Sequence, residues 1–334
     1  MMCCKTCGVE LTQSNTYRPD HRYCKKCGLE HKQFLIERRQ TLSFLREMNL
    51  YSKIIQTKFL IRQAVNEFGL EKVYISYSGG KDSTVLSHIA KSMYPQILHL
   101  FANTTNEYPE TIQHIKWEKE YNKTNIIVVM PEDVHGEIWT FKKVVDRYGY
   151  PMFSKRVANA IRTYQHALSV KTKQNSQDYI NRNFKKYDKF KELPISDKCC
   201  DKLKKEPLRR RAKTLGLECA ILGILASESY QREKDWLEYG CNVFHERKDN
   251  QSRPLSFWTE EDITEYIQKN NIKIPKLYEM GYTRNGCMYC GFGVHIEPAG
   301  NNRFQKLKRT HPLQYDYFIE NFGFLMEAFN IEVV

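Results

Sequence analysis

Apolar residues follow two different periods along the chain. Between residues 30 and 68 they recur every three or four positions among charges, which predicts two helices ending at Gly69. Beyond that point, short apolar runs alternate with helical stretches. The runs lie at 73–77, 97–102, 125–130 and 219–224, and the stretches at 83–93 and 109–121. Such alternation predicts an α/β fold, a parallel sheet with helices on both faces.

A basic stretch interrupts this alternation. Between Phe141 and Glu192 the chain has 13 Lys or Arg residues against 4 Asp or Glu, within a net charge of +13. The segment 137–195 is too long for a crossover, so we predict a helical insertion over the carboxyl edge of the sheet, where ligands bind in such folds. Its charge indicates either a solvated surface or a nucleic-acid partner held through its phosphates.

Aromatic residues are interleaved with these charges. They could stack on unpaired bases, but we favour packing on the sheet for most of them. The set is Tyr148, Tyr150, Phe153, Tyr164, Tyr179, Phe184 and Tyr187.

The composition of the chain indicates the cellular compartment in which we expect the protein. No apolar run approaches the roughly 20 residues that span a bilayer, and the first residues lack the apolar core of a signal peptide. We therefore expect a cytoplasmic protein with no membrane partner. In that reducing compartment, 11 cysteines suggest metal ligands or catalysis before disulfides. Cys219 and Cys241 have no partner pattern and are expected to be buried structural thiols.

The first cysteine set has the spacing of a zinc ribbon. Cys4, Cys7, Cys24 and Cys27 form C-x2-C-x16-C-x2-C, and four thiolates close a tetrahedral structural Zn²⁺ site with no open position. Each pair is expected on a tight turn, which the following Gly8 or Gly28 permits. Cys3 is an alternative to Cys4 as a ligand.

A glycine-rich turn lies where the first predicted strand meets a helix, in "SYSGGKDS" (76–83). Gly79 and Gly80 let the backbone approach an anion, and the helix N-terminus adds a positive dipole. Lys81 offers a charge, while Ser78 and Ser83 offer hydroxyls. The pattern is not that of G-x-x-x-x-G-K-[ST].

This turn resembles the PP-loop of the adenine nucleotide alpha hydrolase superfamily, whose members cleave ATP between the α and β phosphates. "TTNEYPET" (104–111) and "GILASESYQRE" (223–233) are similar to motifs of its phosphoadenosine phosphosulfate reductase-like family, as is "RFQKLKRTHPLQYDYFI" (303–319). Two positions depart from the pattern: Thr105 stands where glycine is usual, and Leu225 where arginine is usual.

The resemblance, which covers residues 70–334, implies a Rossmann-like fold and a site for ATP and Mg²⁺. Lys81, Asp82 and Ser83 would be catalytic. The nucleotide-binding set would be Ser76, Ser78, Gly79, Gly80, Lys81, Asp82, Ser83, Glu107, Glu228, Ser229 and Arg232. Glu110 is a further candidate near the site, although Glu107 and Glu110 could merely cap a helix.

A second cysteine set consists of Cys199-Cys200 and Cys287-x-x-Cys290. Pro207-Leu208 follows the tandem pair in "CCDKLKKEPL". It resembles the 4Fe-4S site of assimilatory adenylylsulfate reductases. Soft thiolates suit an iron–sulfur cluster and zinc alike, so zinc remains an alternative to the cluster.

The reductases of this family use a cysteine in a C-terminal E-C-G-x-H motif and carry a degraded loop. Here the last cysteine is Cys290 and the loop is intact. The sequence is therefore more similar to the branch that transfers sulfur to DNA or tRNA. The expected activity is an ATP pyrophosphatase that adenylates nucleic acid, with a sulfur donor such as a cysteine desulfurase. The alternatives are a sulfonucleotide reductase using an external thiol, a non-sulfur ATP-dependent ligase, and a nucleic-acid-binding scaffold.

The expected organisation has four parts. A zinc ribbon at 1–32 and a helical linker at 33–69 precede the nucleotide-binding domain at 70–270. A C-terminal segment at 271–334 closes the second cysteine site.

Overall fold

The structure, a computed structural model, describes residues 3–12, 14–17, 19–133, 135–245, 249–298 and 300–333. The chain forms two units, each built from separate stretches of sequence. The first unit contains the residues up to Ile75, with Asp82–Ile97 and Glu218–Lys273. The second contains Ser76–Lys81, Leu98–Leu217 and the residues from Ile274 onward.

Two long helices, α1 (Lys25–Glu47) and α2 (Leu50–Phe68), follow the N-terminal cysteines. The Asn49 side chain accepts a hydrogen bond from the Ser52 amide and caps α2, which ends at Gly69 with φ of 88°. The two predicted helices are confirmed, although α1 begins five residues before the predicted helical pattern and so includes Cys27.

The alternating elements also follow the sequence pattern. The strands are β1 (Val73–Ser76), β2 (Leu98–Ala102), β3 (Ile126–Val129), β4 (Met152–Phe153), β5 (Cys219–Leu222), β6 (Asn242–Val243), β7 (Asn250–Ser252) and β8 (Gly291–Phe292). The remaining helices are α3 (Lys81–Lys91), α4 (Pro109–Glu120), α5 (Phe141–Tyr148), α6 (Lys155–Gln165), α7 (Val170–Phe184), α8 (Lys198–Cys200), α9 (Glu206–Thr214), α10 (Tyr230–Tyr239), α11 (Glu260–Lys269), α12 (Arg303–Thr310) and α13 (Pro312–Ala328).

Strand pairing is mainly parallel. In the first unit the strands follow the order β1-β5-β7-β6, with β5 parallel to β7 and the short β6 antiparallel to it. In the second unit β2 runs parallel to β3, with Leu100 opposite Ile127, and β4 runs parallel to β8. This mixed, mostly parallel sheet with helices confirms the predicted Rossmann-like class.

The basic insertion is helical, as predicted, and belongs to the second unit. Its aromatic residues contribute to a core with the C-terminal helix α13: the Phe141 and Tyr150 rings lie 5.4 and 5.6 Å from Phe322. Phe153 lies 5.9 Å from Phe329. Packing was expected for most of these rings. Of the predicted set, Tyr150 packs against α13 and Phe153 against Phe329 just after its end, whereas Tyr179 is 40% exposed.

Among the described residues, no helix is both long and apolar enough to cross a membrane.

Candidate functional site

Four cysteine thiols of the first unit converge. The sulfur atoms of Cys4, Cys7, Cys24 and Cys27 all lie within 4.8 Å of one another. The Cys7 and Cys24 sulfurs are 3.8 Å apart. A tetrahedral Zn²⁺ with Zn–S bonds of about 2.3 Å requires sulfurs about 3.8 Å apart, so the set fits one ion. Cys3 is exposed and lies outside this group, which decides between Cys3 and Cys4.

The two cysteine pairs have different backbones. Gly8 has φ of 72° and follows a turn, as expected. Cys24, in contrast, is the N-cap of α1 and Cys27 lies in its first turn, so the prediction of a tight turn at the second pair was wrong. Gly28 is required for a different reason: a Cβ there would lie 2.2 Å from Cγ of Tyr17.

Backbone hydrogen bonds make the Cys4 thiol easier to deprotonate. Hydrogen bonds from the backbone of Cys24 and Cys7 lower the pKa of the Cys4 thiol to about 6. The thiolate is the form that binds a metal ion. Cys4 is thus poised as a ligand near neutral pH.

The glycine loop connects β1 to α3. Gly79 has φ of 71°, a conformation that favours glycine, and α3 begins at Lys81. A Cβ on Gly79 would lie 3.1 Å from Ile115 Cδ1, in the second unit. The loop therefore presents its backbone at a helix N-terminus, the arrangement that binds anions.

Two residues of the C-terminal segment contact this loop. The Lys81 amide donates a hydrogen bond to the Tyr278 hydroxyl at 3.0 Å. The Asn285 side-chain Nδ2 donates a hydrogen bond to the Ser78 carbonyl at 3.4 Å. The Oδ1 atom of the same side chain accepts a hydrogen bond from the Thr111 hydroxyl at 2.8 Å. Sequence reasoning missed both residues, because no local pattern marks a contact about 200 positions away. Their place just before the "GCMYC" motif was the available hint.

The first turn of α3 belongs to the first unit, where Ser83 is buried and Asp82 half-buried. Gly223 follows β5 directly and is the glycine of the "GILASES" motif. A Cβ there would approach the backbone nitrogen of Ser83 to 3.0 Å. Close contact between the strand end and the helix start thus requires glycine.

Glu228, Ser229 and Arg232 form the start of α10 in the first unit. The Ser229 hydroxyl accepts from the Arg232 amide at 3.3 Å and caps the helix. Glu228 accepts from the Leu225 amide at 3.1 Å and forms an ion pair with Arg232. Leu225, which replaces the usual arginine, is fully buried. These contacts give the three residues a structural role, and their predicted part in nucleotide binding stays a prediction.

The "TTNEYPET" motif lies in the second unit between β2 and α4. Thr105, where glycine is usual, has φ of 60°, which explains why relatives have glycine there. Glu107 accepts from the Thr104 hydroxyl at 2.6 Å, and burial raises the pKa of its carboxyl. Glu110 Oε2 lies 3.0 Å from Nε2 of buried His311, at hydrogen-bonding distance.

The second cysteine set also lies entirely in the second unit. Cys199 and Cys200 form α8, with their sulfurs 4.0 Å apart, and continue through a π-helical turn at Asp201–Lys205 into α9. Pro207 has no amide hydrogen to donate to the carbonyl four residues earlier, so the wider turn accommodates it. Cys287 and Cys290 close a tight turn, with the Cys290 amide bonded to the Cys287 carbonyl at 3.2 Å.

Positive charge surrounds these thiols. The adjacent Cys199 thiol lowers the pKa of Cys200 to about 6, aided by the nearby ammonium groups of Lys155, Lys204 and Lys205. Burial raises the pKa values of Cys287 and Cys290.

Four soft thiolates in a basic environment suit an anionic metal centre. Within the part of the chain that the structure describes, these four sulfurs do not meet the spacing of a single ion, unlike the ribbon set. Each iron of a cluster takes one thiolate, so its ligands stand further apart. The donor set therefore suits a cluster, and zinc stays an alternative to it.

Besides exposed Cys3, two cysteines lie outside both sets, Cys219 and Cys241. Cys219 is fully buried, and the Cys241 sulfur accepts hydrogen bonds from Trp236 Nε1 at 3.3 Å and Ser256 at 3.4 Å.

Residues 72–149 and 139–291 match the phosphoadenosine phosphosulfate reductase domain. The chain belongs to this family. The family assignment from the sequence is thus confirmed, and it makes the chain a relative of nucleotide-binding enzymes of sulfur chemistry.

Curated relatives of this phosphoadenosine phosphosulfate reductase family member are distant. An uncharacterized protein of Methanocaldococcus jannaschii is 21% identical over 73% of this chain, which spans 46% of that relative's length. The adenosine 5'-phosphosulfate reductase of Lysinibacillus sphaericus is 24% identical over 69% of this chain and 78% of its own. A sulfate adenylyltransferase subunit 2 of Alkalilimnicola ehrlichii is 26% identical over 72% of this chain and 68% of its own.

Proposed function

We propose that the chain is a PP-loop ATP pyrophosphatase that adenylates a nucleic acid for sulfur transfer, with a 4Fe-4S cluster on Cys199, Cys200, Cys287 and Cys290. One observation carries the proposal. The segment 278–290 contacts the glycine loop through Tyr278 and Asn285 and also supplies two of the four cysteines. An ATP-binding loop and a thiolate-rich site are thereby joined by 13 residues of chain.

The loop residues would carry the first step. The amides of Gly79 and Gly80, at the start of α3, and the Lys81 ammonium would hold the phosphates of ATP. An oxygen of the acceptor attacks the α phosphorus, and pyrophosphate leaves with the bonding electrons. Lys81 and the loop amides stabilise the charge that develops on the phosphates.

Asp82 and Ser83 lie in the first turn of α3 and follow Lys81 directly in the sequence. A carboxylate and a hydroxyl are ligands that Mg²⁺ accepts alongside phosphate oxygens. Mg²⁺, when bound, would neutralise charge on the departing pyrophosphate.

The second step exchanges oxygen for sulfur. A donor such as a cysteine desulfurase supplies sulfur as a persulfide, and a dithiol reduces it to hydrosulfide while it is itself oxidised to a disulfide. The hydrosulfide then forms a bond to the adenylated acceptor atom. AMP then leaves with the oxygen that it took from the acceptor. An iron–sulfur cluster at the second cysteine set would hold the incoming sulfur close to the acceptor. The lysines around Cys200 favour a negatively charged acceptor there.

The test is anaerobic turnover of α-labelled ATP with bulk tRNA or duplex DNA. Lys81→Ala should abolish release of AMP and pyrophosphate and retain the melting temperature of the wild type. Lys116→Ala removes an exposed lysine of α4 and serves as the matched control. Equal AMP formation by the Lys81 and Lys116 variants would remove the loop from the reaction.

Binding of the acceptor is tested separately through the exposed cations of the insertion, Lys155, Arg156, Lys185 and Lys186. If they follow a phosphate backbone, affinity falls with salt by a log–log slope of about −0.9 per phosphate neutralised on duplex DNA. Neutralising all four should weaken binding of DNA and RNA and leave the affinity for ATP unchanged. A control changes four exposed lysines elsewhere: Lys26, Lys32, Lys116 and Lys119. Equal affinities of the two variants would indicate a small-molecule acceptor.

The family match itself favours a second function, reduction of a sulfonucleotide with an external thiol. In that reaction a dithiol is oxidised to a disulfide while adenylylsulfate yields sulfite and AMP. Sulfite release from adenylylsulfate and a reduced dithiol protein, without ATP, would establish this function in place of ATP cleavage.

A further inference from the structure

Asn106 lies at the centre of the contact between the "TTNEYPET" motif and the second cysteine set, and it is fully buried. Its backbone carbonyl accepts a hydrogen bond from the Met288 amide at 2.7 Å. Its side-chain Oδ1 accepts one from the Tyr289 amide at 3.1 Å. Both partners lie between the ligands Cys287 and Cys290, so this single residue holds the turn that presents the two thiols.

The Asn106 side chain has one donor left over. Its Nδ2 atom is buried and has no hydrogen-bond partner in the part of the chain that the structure describes. Rotating the amide by 180° would not remove this mismatch, because Nδ2 would then face the Tyr289 N–H donor. Leaving such a buried donor unsatisfied costs about 1–3 kcal/mol, so its retention calls for an acceptor that the polypeptide does not supply.

The neighbouring thiols have their own protein contacts. The Phe292 amide bonds to the Cys290 sulfur, and the Thr104 hydroxyl lies 3.7 Å from the Cys287 sulfur. The Thr104 hydroxyl is also within 2.6 Å of the Glu107 carboxylate, to which it donates. The Met288, Tyr289 and Cys290 amides are bonded to oxygens. The N–H groups of Met288, Tyr289 and Cys290 are thus occupied, and among the described residues the Asn106 amide offers a buried donor beside this turn.

We propose that Asn106 is a positioning residue for the second cysteine site: its Nδ2–H donates a hydrogen bond to a sulfur of the metal centre that these cysteines bind. This inference rests on the cluster in the proposed function. Hydrogen bonds to cluster sulfurs offset their negative charge and so raise the reduction potential. Asn106 would therefore both orient the Cys287–Cys290 turn and stabilise the reduced centre.

The decisive variant is Asn106→Asp. Aspartate keeps an oxygen for the Tyr289 amide and removes the Nδ2 donor in nearly the same volume. A matched control is Asn302→Asp, since Asn302 is also buried in the second unit but its Nδ2 donates to the Glu332 carbonyl. Its Oδ1 caps α12, so the control measures the cost of a buried aspartate without touching the cysteines.

Each protein is reconstituted without oxygen, and iron, acid-labile sulfide, visible absorption and midpoint potential are measured. Asn106→Asp should lower iron affinity about 10- to 100-fold and move the potential to a more negative value. Asn302→Asp should match the wild type in both. Asn106→Ala, which removes donor and acceptor together, should lose still more iron. Wild-type loading and potential in Asn106→Asp would overturn the inference.

The wild type alone decides the cluster itself. If it binds no iron, the cluster of the proposed function fails. The same variants, each combined with Cys4→Ser so that the ribbon takes up no metal, are then compared with Co²⁺ as the probe. A thiolate-to-cobalt absorption band that weakens in Asn106→Asp and not in Asn302→Asp would then support the hydrogen bond to sulfur. Equal bands, or no band in the wild type, would overturn it.

Discussion

Each of the two cysteine sites offers four cysteine thiols. The sites differ in how the chain brings these thiols together. The ribbon takes its thiols from residues 4–27 and brings their sulfurs within 4.8 Å of one another. The second site takes its thiols from two segments separated by residues 201–286, and its Cys199 and Cys200 sulfurs are 4.0 Å apart. The ribbon requires a turn and the start of a helix, whereas the second site requires the fold of its whole unit.

In the proposed function, this difference separates a structural zinc site from a site that takes part in the reaction. Four converging thiolates leave a single ion no open position, so the ribbon can stabilise the chain and do little else. The second site is surrounded by lysines, a buried carboxyl and an unsatisfied amide, none of which a structural ion requires. Its segment also contacts the glycine loop.

The strongest test of this contrast is Cys200→Ser. We expect loss of all iron and acid-labile sulfide and of AMP formation, because one corner of the cluster loses its ligand. Zinc content should remain about one ion per chain. Metal analysis after anaerobic purification measures both. Cys3→Ser, at an exposed cysteine outside both sites, is the control. Loss of zinc together with iron would show that the two sites are not independent.

The converse variant is Cys4→Ser. Zinc should be lost and the ribbon should unfold, since structural zinc contributes about 10–16 kcal/mol to the folding of such small elements. Iron content should stay unchanged. Limited proteolysis should detect new cleavage before Lys25, where α1 begins. Treating the wild type with a strong chelator should give the same pattern, and retained zinc in the variant would contradict the ligand assignment.

Glu107→Gln tests the buried carboxyl beside the second site. Burial raises the pKa of Glu107, so its protonated form stabilises the fold at low pH. That contribution is lost as pH rises through the folded-state pKa. Gln stays neutral, so the stability of the variant relative to the wild type should increase with pH.

Urea unfolding at pH 5, 7 and 9 measures this difference. Glu120→Gln, at an exposed position of α4, is the control and should show no such trend. A constant difference across the three pH values would mean that Glu107 is ionised in the folded protein throughout.

The smallest expected effect is that of Thr105→Gly. Threonine at φ of 60° is strained, and glycine removes the strain at some cost in chain entropy. The free energy of unfolding should rise by up to about 1 kcal/mol. Thr140→Gly, which removes a helix cap at φ of −95°, should lower it instead. A decrease for Thr105→Gly would mean that the threonine hydroxyl matters more than the backbone.

Local patterns predicted much of this molecule. The apolar runs placed β1, β2, β3 and β5 to within two residues, and the C-x2-C spacing identified the ribbon ligands. Both depend on neighbours in sequence. The short pairing of β4 with β8 and the contacts of Tyr278 and Asn285 depend on residues more than 130 positions apart, so no local pattern contains them.

Asn106 illustrates the same limit within a motif. Its position in "TTNEYPET" was visible, but its importance comes from the Met288 and Tyr289 amides and from a donor left without an acceptor. Such a mismatch exists only in the folded chain. Tyr150 was predicted to pack on the sheet, yet its partner Phe322 on α13 could not be predicted from the local spacing.

In the proposed function, the segment 278–290 would link the two ligands of the second unit, the nucleotide at the glycine loop and the metal centre. A ligand in the glycine loop would lie beside the Tyr278 hydroxyl, which accepts a hydrogen bond from the Lys81 amide. A shift of Tyr278 or Asn285 would move the chain that reaches Cys287, two residues after Asn285. Linkage is reciprocal. The factor by which a loaded metal centre changes the affinity for the nucleotide therefore equals the factor by which the nucleotide changes the affinity for the metal centre.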